Sequence, residues 1–120
     1  MSAAVTWRIK PSWALAAVLA VPTLAIAAEP TQGLSPLAAQ QHCDECHAIQ
    51  EIRIGPSFQA IAIRYSLEGP AVEERLARKI INGGAGNWGN IPMVANERVS
   101  LEDARAIARW ILSLAPPVGR

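Results

Sequence analysis

The pentapeptide Cys43-Asp44-Glu45-Cys46-His47 constrains this chain more than any other feature. Two thiols three positions apart can each add to one vinyl group on the same porphyrin edge. The next residue then lies under the ring, where its imidazole can take one axial position on iron. Cys-x-x-Cys-His is the attachment signature of c-type haem. Two other chemistries use part of the pattern. A dithiol redox site uses Cys-x-x-Cys but expects a βαβ setting, and no alternating strand pattern flanks it here. A structural zinc site wants four protein ligands. The chain offers only His42, Cys43, Cys46 and His47, crowded into one short segment.

The start of the chain reads as an export leader. Arg8 and Lys10 supply positive charge, an apolar run covers residues 13–21, Pro22 interrupts it, and Ala25-Ile26-Ala27 is an Ala-x-Ala cleavage site. The alternative is a retained anchor, but the apolar run is shorter than the ~20 residues a spanning helix needs. The expected organisation is a cleaved signal peptide over residues 1–27 and one domain over 28–120, with no membrane span after cleavage. Export agrees with the motif, because covalent haem attachment takes place outside the cytoplasm, in the periplasm of a bacterium. That compartment permits disulfides, yet Cys43 and Cys46 are the only cysteines, so no other bridge can staple the fold.

Loss of the leader leaves nine basic residues against ten acidic ones, with Lys79 the only lysine. This excludes a basic nucleic-acid footprint and a docking face built from a ring of lysines. A domain of this size buries limited apolar surface on its own, so a covalently held porphyrin would supply much of its core.

The rest of the domain reads as helices. Glu29 to Gly33 is an irregular lead-in. Ser35-Pro36 places an N-cap before a proline at the first helical position, which predicts a helix over 36–41 running up to the cysteines. Gly55-Pro56 breaks regular structure. Phe58, Ile61, Ala62 and Tyr65 form a helical stripe. The clearest helix is predicted over 70–81: Val72, Leu76 and Ile80 repeat every four residues, Glu73 and Glu74 lie early, Arg78 and Lys79 lie late, and Asn82-Gly83 ends it. Ser100 with Asp103 approximates a capping box for a last helix whose apolar face is Ala104, Ile107, Ala108, Ile111 and Leu112, stopped by Pro116-Pro117. Residues 118–120 read as a frayed tail. Between the last two helices, Gly84-Ala-Gly86-Asn-Trp-Gly89 formally matches a dinucleotide fingerprint. That fingerprint needs a strand before it and a helix after it; here a helix precedes and Ile91-Pro92 follows. It reads instead as a flexible run passing close to something flat. No strand alternation stands out, and the expected class is all-α.

His47 fills one axial position, and counting narrows the other. Met1 departs with the leader, so Met93 is the only available methionine. His42 directly precedes Cys43 and lies on the same side of the ring as His47; it reads as a partly exposed side chain. Lys79 and an open site are the alternatives. A thioether from Met93 suits Fe(II) and raises the reduction potential.

Three blocks carry a resemblance: Cys43-Asp-Glu-Cys-His-Ala48, Ile54-Gly55-Pro56, and Gly83-Gly-Ala-Gly-Asn-Trp88-Gly-Asn-Ile-Pro-Met93. With Arg109-Trp110-Ile-Leu-Ser113 they cover nearly the whole mature chain, which resembles the short bacterial class I cytochromes c that donate electrons to nitrite reductase or terminal oxidases. The resemblance implies four to five short helices around one covalent haem c, thioethers at Cys43 and Cys46, and iron ligands His47 and Met93. It further implies that the Pro56 carbonyl accepts the other imidazole N–H of His47, that the Trp88 indole N–H reaches a haem propionate, that the Asn96 amide sits near the Met93 sulfur, and that the first and last helices cross. The chain departs from the family where Val94-Ala95 replace a common Pro-Pro, where Ala38 replaces a common aromatic, with Trp110 as the candidate to compensate, and where His42 replaces a common Gly or Lys.

The function these features imply is a periplasmic one-electron carrier, not an enzyme, meeting redox partners transiently over a small patch that is apolar and rimmed by arginines. The alternatives are a haem subunit held permanently by a periplasmic dehydrogenase, and a haem sensor or enzyme with a labile sixth ligand.

Overall fold

Three serines begin the three helices that build the frame around the motif. The computed structural model describes residues 33–117, with residues 3, 4 and 6. The leader, apart from those isolated positions, and the tail over 118–120 lie outside the described residues. Ser35 Oγ accepts the Ala38 N–H at 3.4 Å at the start of α1 (Pro36–Gln40). Ser57 Oγ accepts the Ala60 N–H at 3.1 Å at the start of α2 (Phe58–Tyr65). The long C-terminal helix, introduced below, starts at Ser100 in the same way, with the Asp103 N–H at 3.0 Å. Each such cap contributes about 1 kcal/mol. Ser57 was not singled out as a cap in the sequence, because its neighbour Pro56 reads as a breaker.

The helix expected over 36–41 stops short of the cysteines. His42 takes a left-handed conformation, φ 58°, which ends α1; its N–H donates to the Ala39 carbonyl at 3.0 Å. The cysteine segment then forms a separate 3-10 turn, Cys43–Glu45. α2 buries Phe58, Ala62 and Tyr65. α3 (Ala71–Asn82) buries Val72, Leu76, Ala77 and Ile80, and ends at Gly83.

The segment after α3, read as irregular, is a small antiparallel hairpin, β1 (Gly84–Gly86) and β2 (Gly89–Met93), pairing Gly84 with Met93 and Gly86 with Gly89. Only Met93 is even partly buried in it. A hairpin with no buried face imposes no alternation of apolar residues, so the sequence carried no strand signal.

α4 (Leu101–Ser113) packs along α3 and across α2, and touches α1. Phe58 and Ile107, almost fully buried, anchor the shared core. Ala38 has no exposed surface. Trp110 of α4 meets the Phe58 ring of α2 edge-on, 4.9 Å between centroids. Outside this core, Glu73 pairs with Arg109 at 2.7 Å, and Glu74 with Arg105 at 2.7 Å and Arg78 at 2.8 Å. The pairs to Arg105 and Arg109 link α3 to α4, the one to Arg78 lies within α3, and all three, partly exposed, add little stability. The class is the expected helical one, with one small hairpin added. Among the described residues no helix is long and apolar enough to cross a membrane.

Candidate functional site

The 3-10 turn explains how the motif presents its chemistry. In such a turn residues i and i+3 eclipse, so Cys43 and Cys46 fall on one side of the chain. The Cys46 and His47 N–H groups both donate to the Cys43 carbonyl, at 3.3 and 3.0 Å, and hold the pentapeptide in one tight loop. Both cysteines are free and half-buried. Burial, then the neighbouring Asp44 charge, pushes the Cys43 thiol above its ordinary value of 9.0. At Cys43 the turn therefore favours the protonated thiol over the thiolate.

His47 is the buried member, with 8% of its surface exposed. Its Nδ1 lies 2.6 Å from the Pro56 carbonyl oxygen. A carbonyl only accepts, so Nδ1 carries the proton and the Nε2 lone pair is left for a metal. The ring also packs against Phe58, 5.3 Å between centroids. Its last wall is Gly55. A Cβ there would stand 2.4 Å from His47 Cε1 and 2.8 Å from Nδ1. Backbone bonds pin this wall: the Gly55 N–H donates to the Cys46 carbonyl at 2.8 Å. The sequence marked Gly55 only as a breaker; its contact with the imidazole comes from the loop folding back.

Met93 ends β2, half-buried against the core. Asn96 follows, and its side chain donates to the Gln41 carbonyl at 3.4 Å, tying the Met93 loop to the segment just before the cysteines. Trp88, at the hairpin turn, is 43% exposed. The Arg64 guanidinium lies 4.7 Å over its ring and donates to the Asn87 carbonyl at 2.6 Å. Sequence reasoning did not find Arg64, since nothing local signals a contact across 23 residues. His42 is exposed and pairs with Glu45 at 3.3 Å, away from any ligand role.

Whether these residues fit a c-type haem can be judged from the polypeptide. The two thiols are free and share one side. The imidazole is fixed with its metal-binding nitrogen unspent. Large apolar side chains lie uncovered after the motif, Ile52 at 82% and Ile54 at 62%, and around Met93, Ile91 at 69% and Val94 at 76%. An apolar group held between these segments would remove such surface from water. The residues fit. Among the described residues no three His, Cys, Asp or Glu side chains converge on a metal position, and the one sheet is a two-stranded hairpin rather than the βαβ setting of a dithiol site.

Comparison with known proteins points the same way. No family model matches the chain. It is similar to a cytochrome c-551 of Pseudomonas aeruginosa, 36% identical over 105 residues, covering 88% of this chain and 98% of that one. A cytochrome c-551 of Allochromatium vinosum is 37% identical over 78 residues, covering 65% of this chain and 82% of the relative. Among solved structures, wild-type cytochrome c552 of Nitrosomonas europaea superposes with a TM-score of 0.62 at 41% identity, covering 65% of this chain and 95% of that one.

Proposed function

The chain belongs to the cytochrome c-551/c-552 family of short bacterial class I cytochromes c, electron carriers with one covalent haem c, and on that premise we propose that it is a periplasmic one-electron carrier with His47 and Met93 as its axial iron ligands. The observation that carries the reading is the state of His47: Nδ1 committed to Pro56 and Nε2 free, one residue beyond two free thiols.

Bound haem supplies the Fe(III)/Fe(II) couple. The protein residues set its conditions. Cys43 and Cys46 would hold the group by thioethers. Pro56 orients His47 and, by accepting its N–H, raises the basicity of the ligating nitrogen. Met93 is the soft ligand that favours the ferrous form and raises the potential. Trp88 and Asn96 are the polar groups assigned to a propionate and to the Met93 surroundings; Asn96 does this from a loop it also ties to Gln41. The leader over residues 1–27 and the domain over 28–120 are the supporting ground for export. Partners are redox proteins met transiently. With Lys79 as the only lysine of the domain, arginines such as Arg64 and Arg53 supply the positive rim.

The test is to purify the exported protein, confirm covalent haem by mass, and record the near-infrared sulfur-to-iron band of the ferric form. Met93→Ala should retain the haem and lose the band. Persistence of the band in that variant, or rapid carbon monoxide binding to the ferrous wild type at neutral pH, rules the ligand assignment out.

A further inference from the structure

The loop carrying Met93 continues through Val94-Ala95, which hold no proline, and Val94 is 76% exposed. Something other than local rigidity must hold the loop. The structure places that hold at the C-terminus of α3. Gly83 caps the helix with φ 66° and ψ −154°, its N–H donating to the Lys79 carbonyl at 2.8 Å. Three backbone atoms of the Met93 loop rest on its bare α-carbon. A Cβ on Gly83 would lie 2.4 Å from the Met93 carbonyl oxygen, 2.8 Å from the Val94 carbonyl carbon and 2.7 Å from the Ala95 nitrogen. Backbone, unlike the end of a flexible side chain, has no rotamer by which to move aside.

Two bonds deliver the loop to this seat. Residue 84 pairs with Met93 in the hairpin. On the far side the Asn96 N–H donates to the Ile81 carbonyl at 2.9 Å. The chain thus passes from hairpin to α3 with Met93–Ala95 pressed onto residue 83 between two fixed points. We propose that Gly83 is the positioning residue for the sixth iron ligand: its missing side chain is the seat that fixes the Met93 backbone, and so sets how firmly the thioether stays on iron. The proposal rests on the assignment of Met93 as ligand.

The experiment titrates the ferric, haem-loaded protein with imidazole and follows loss of the sulfur-to-iron band. Gly83→Ala should surrender the band at an imidazole concentration at least about tenfold lower than wild type, the scale of an overpacked contact. Gly69→Ala and Gly86→Ala share the positive φ, 83° and 107°, but a Cβ at either meets nothing within 4 Å. They should stay within about twofold. Gly83→Asn also carries the Cβ, and φ 66° with ψ −154° lies outside the left-handed well that Asn favours, so it should behave like Gly83→Ala. Equal affinity in Gly83→Ala and wild type overturns the proposal, as does wild-type behaviour of Gly83→Asn, whose Cβ meets the same three backbone atoms. Absence of the band from wild type instead overturns the ligand assignment.

If neither Gly83 variant accumulates with haem, the wild type decides. Imidazole that displaces Met93 should also unseat the loop, raising hydrogen exchange at the Asn96 amide at least about tenfold. An Asn96 amide that stays protected under saturating imidazole overturns the proposal.

Discussion

Replacing Gly55 by alanine tests whether the imidazole of His47 is held by space as well as by its hydrogen bond. The backbone at residue 55 is not in the left-handed region, so alanine meets no conformational penalty there, and the effect is one of volume alone. The new Cβ would lie 2.4 Å from His47 Cε1, against 3.4 Å for the start of ordinary contact, so the ring must retreat by about 1 Å. Residue 55 cannot give way, because its N–H is bonded to Cys46 and its carbonyl accepts from the Arg53 N–H at 3.2 Å. A ring that moves must press on Phe58, 5.3 Å between centroids, or stretch the bond from Nδ1 to the Pro56 oxygen, 2.6 Å long. A retreat of that size along the bond carries it past the reach of a hydrogen bond. Overpacking costs about 1–3 kcal/mol, which for a domain of this size lowers Tm by roughly 5–20 °C. Losing the Pro56 acceptor also makes His47 a less basic ligand, so the reduction potential should rise. The assay is thermal unfolding of the haem-loaded protein beside redox titration. A Gly55→Ala protein within about 2 °C of wild type, with the same potential, refutes the reasoning.

Further outcomes follow from the packing and the charges. Ile107→Ala, at a side chain 1% exposed where α4 meets the core, should cost about 2–5 kcal/mol in denaturant unfolding; a cost under about 1 kcal/mol would mean the haem-free core is not the one described. Ser100→Ala removes the acceptor for the Asp103 N–H and should cost about 1 kcal/mol, with Ser100→Thr largely restoring it. Arg105 bonding holds the Glu74 carboxyl below its ordinary value of 4.5. A depressed folded-state value means stability that is present above the unfolded value and is lost as pH falls through the folded one. Glu74→Gln should therefore flatten part of the acid limb of stability below about pH 4.5, and the wild-type limb should weaken in high salt. Arg64→Ala should raise hydrogen exchange in the hairpin turn around Asn87, because both the 2.6 Å bond and the contact over Trp88 go with it; unchanged exchange would show that the turn holds itself.

The helices were legible because each is a local pattern. Ser35-Pro36, the every-fourth spacing of Val72, Leu76 and Ile80, and Ser100 before Asp103 all act within one or two turns, and the structure places helices over each. The end of α1 was not legible: nothing in the local pattern marks residue 42 as the left-handed position, φ 58°, between the helix and the cysteine turn. The hairpin was invisible for the reason that it buries nothing, so no residue type marks its faces.

The same division runs through the site. Five adjacent residues determine that haem can attach and which imidazole faces it, because the chemistry is set by spacing along the chain. Counting methionines determines that Met93 is the one thioether beyond residue 1. How those groups are held is a matter of distant backbone. Gly55 walls His47 through a loop that folds back on Cys46. Gly83 seats residues 93–95 from the end of a helix, and Arg64 reaches the turn 23 residues away. Contacts of this kind depend on close approach between segments, which leaves no periodicity in the sequence and exists only once the helices have packed.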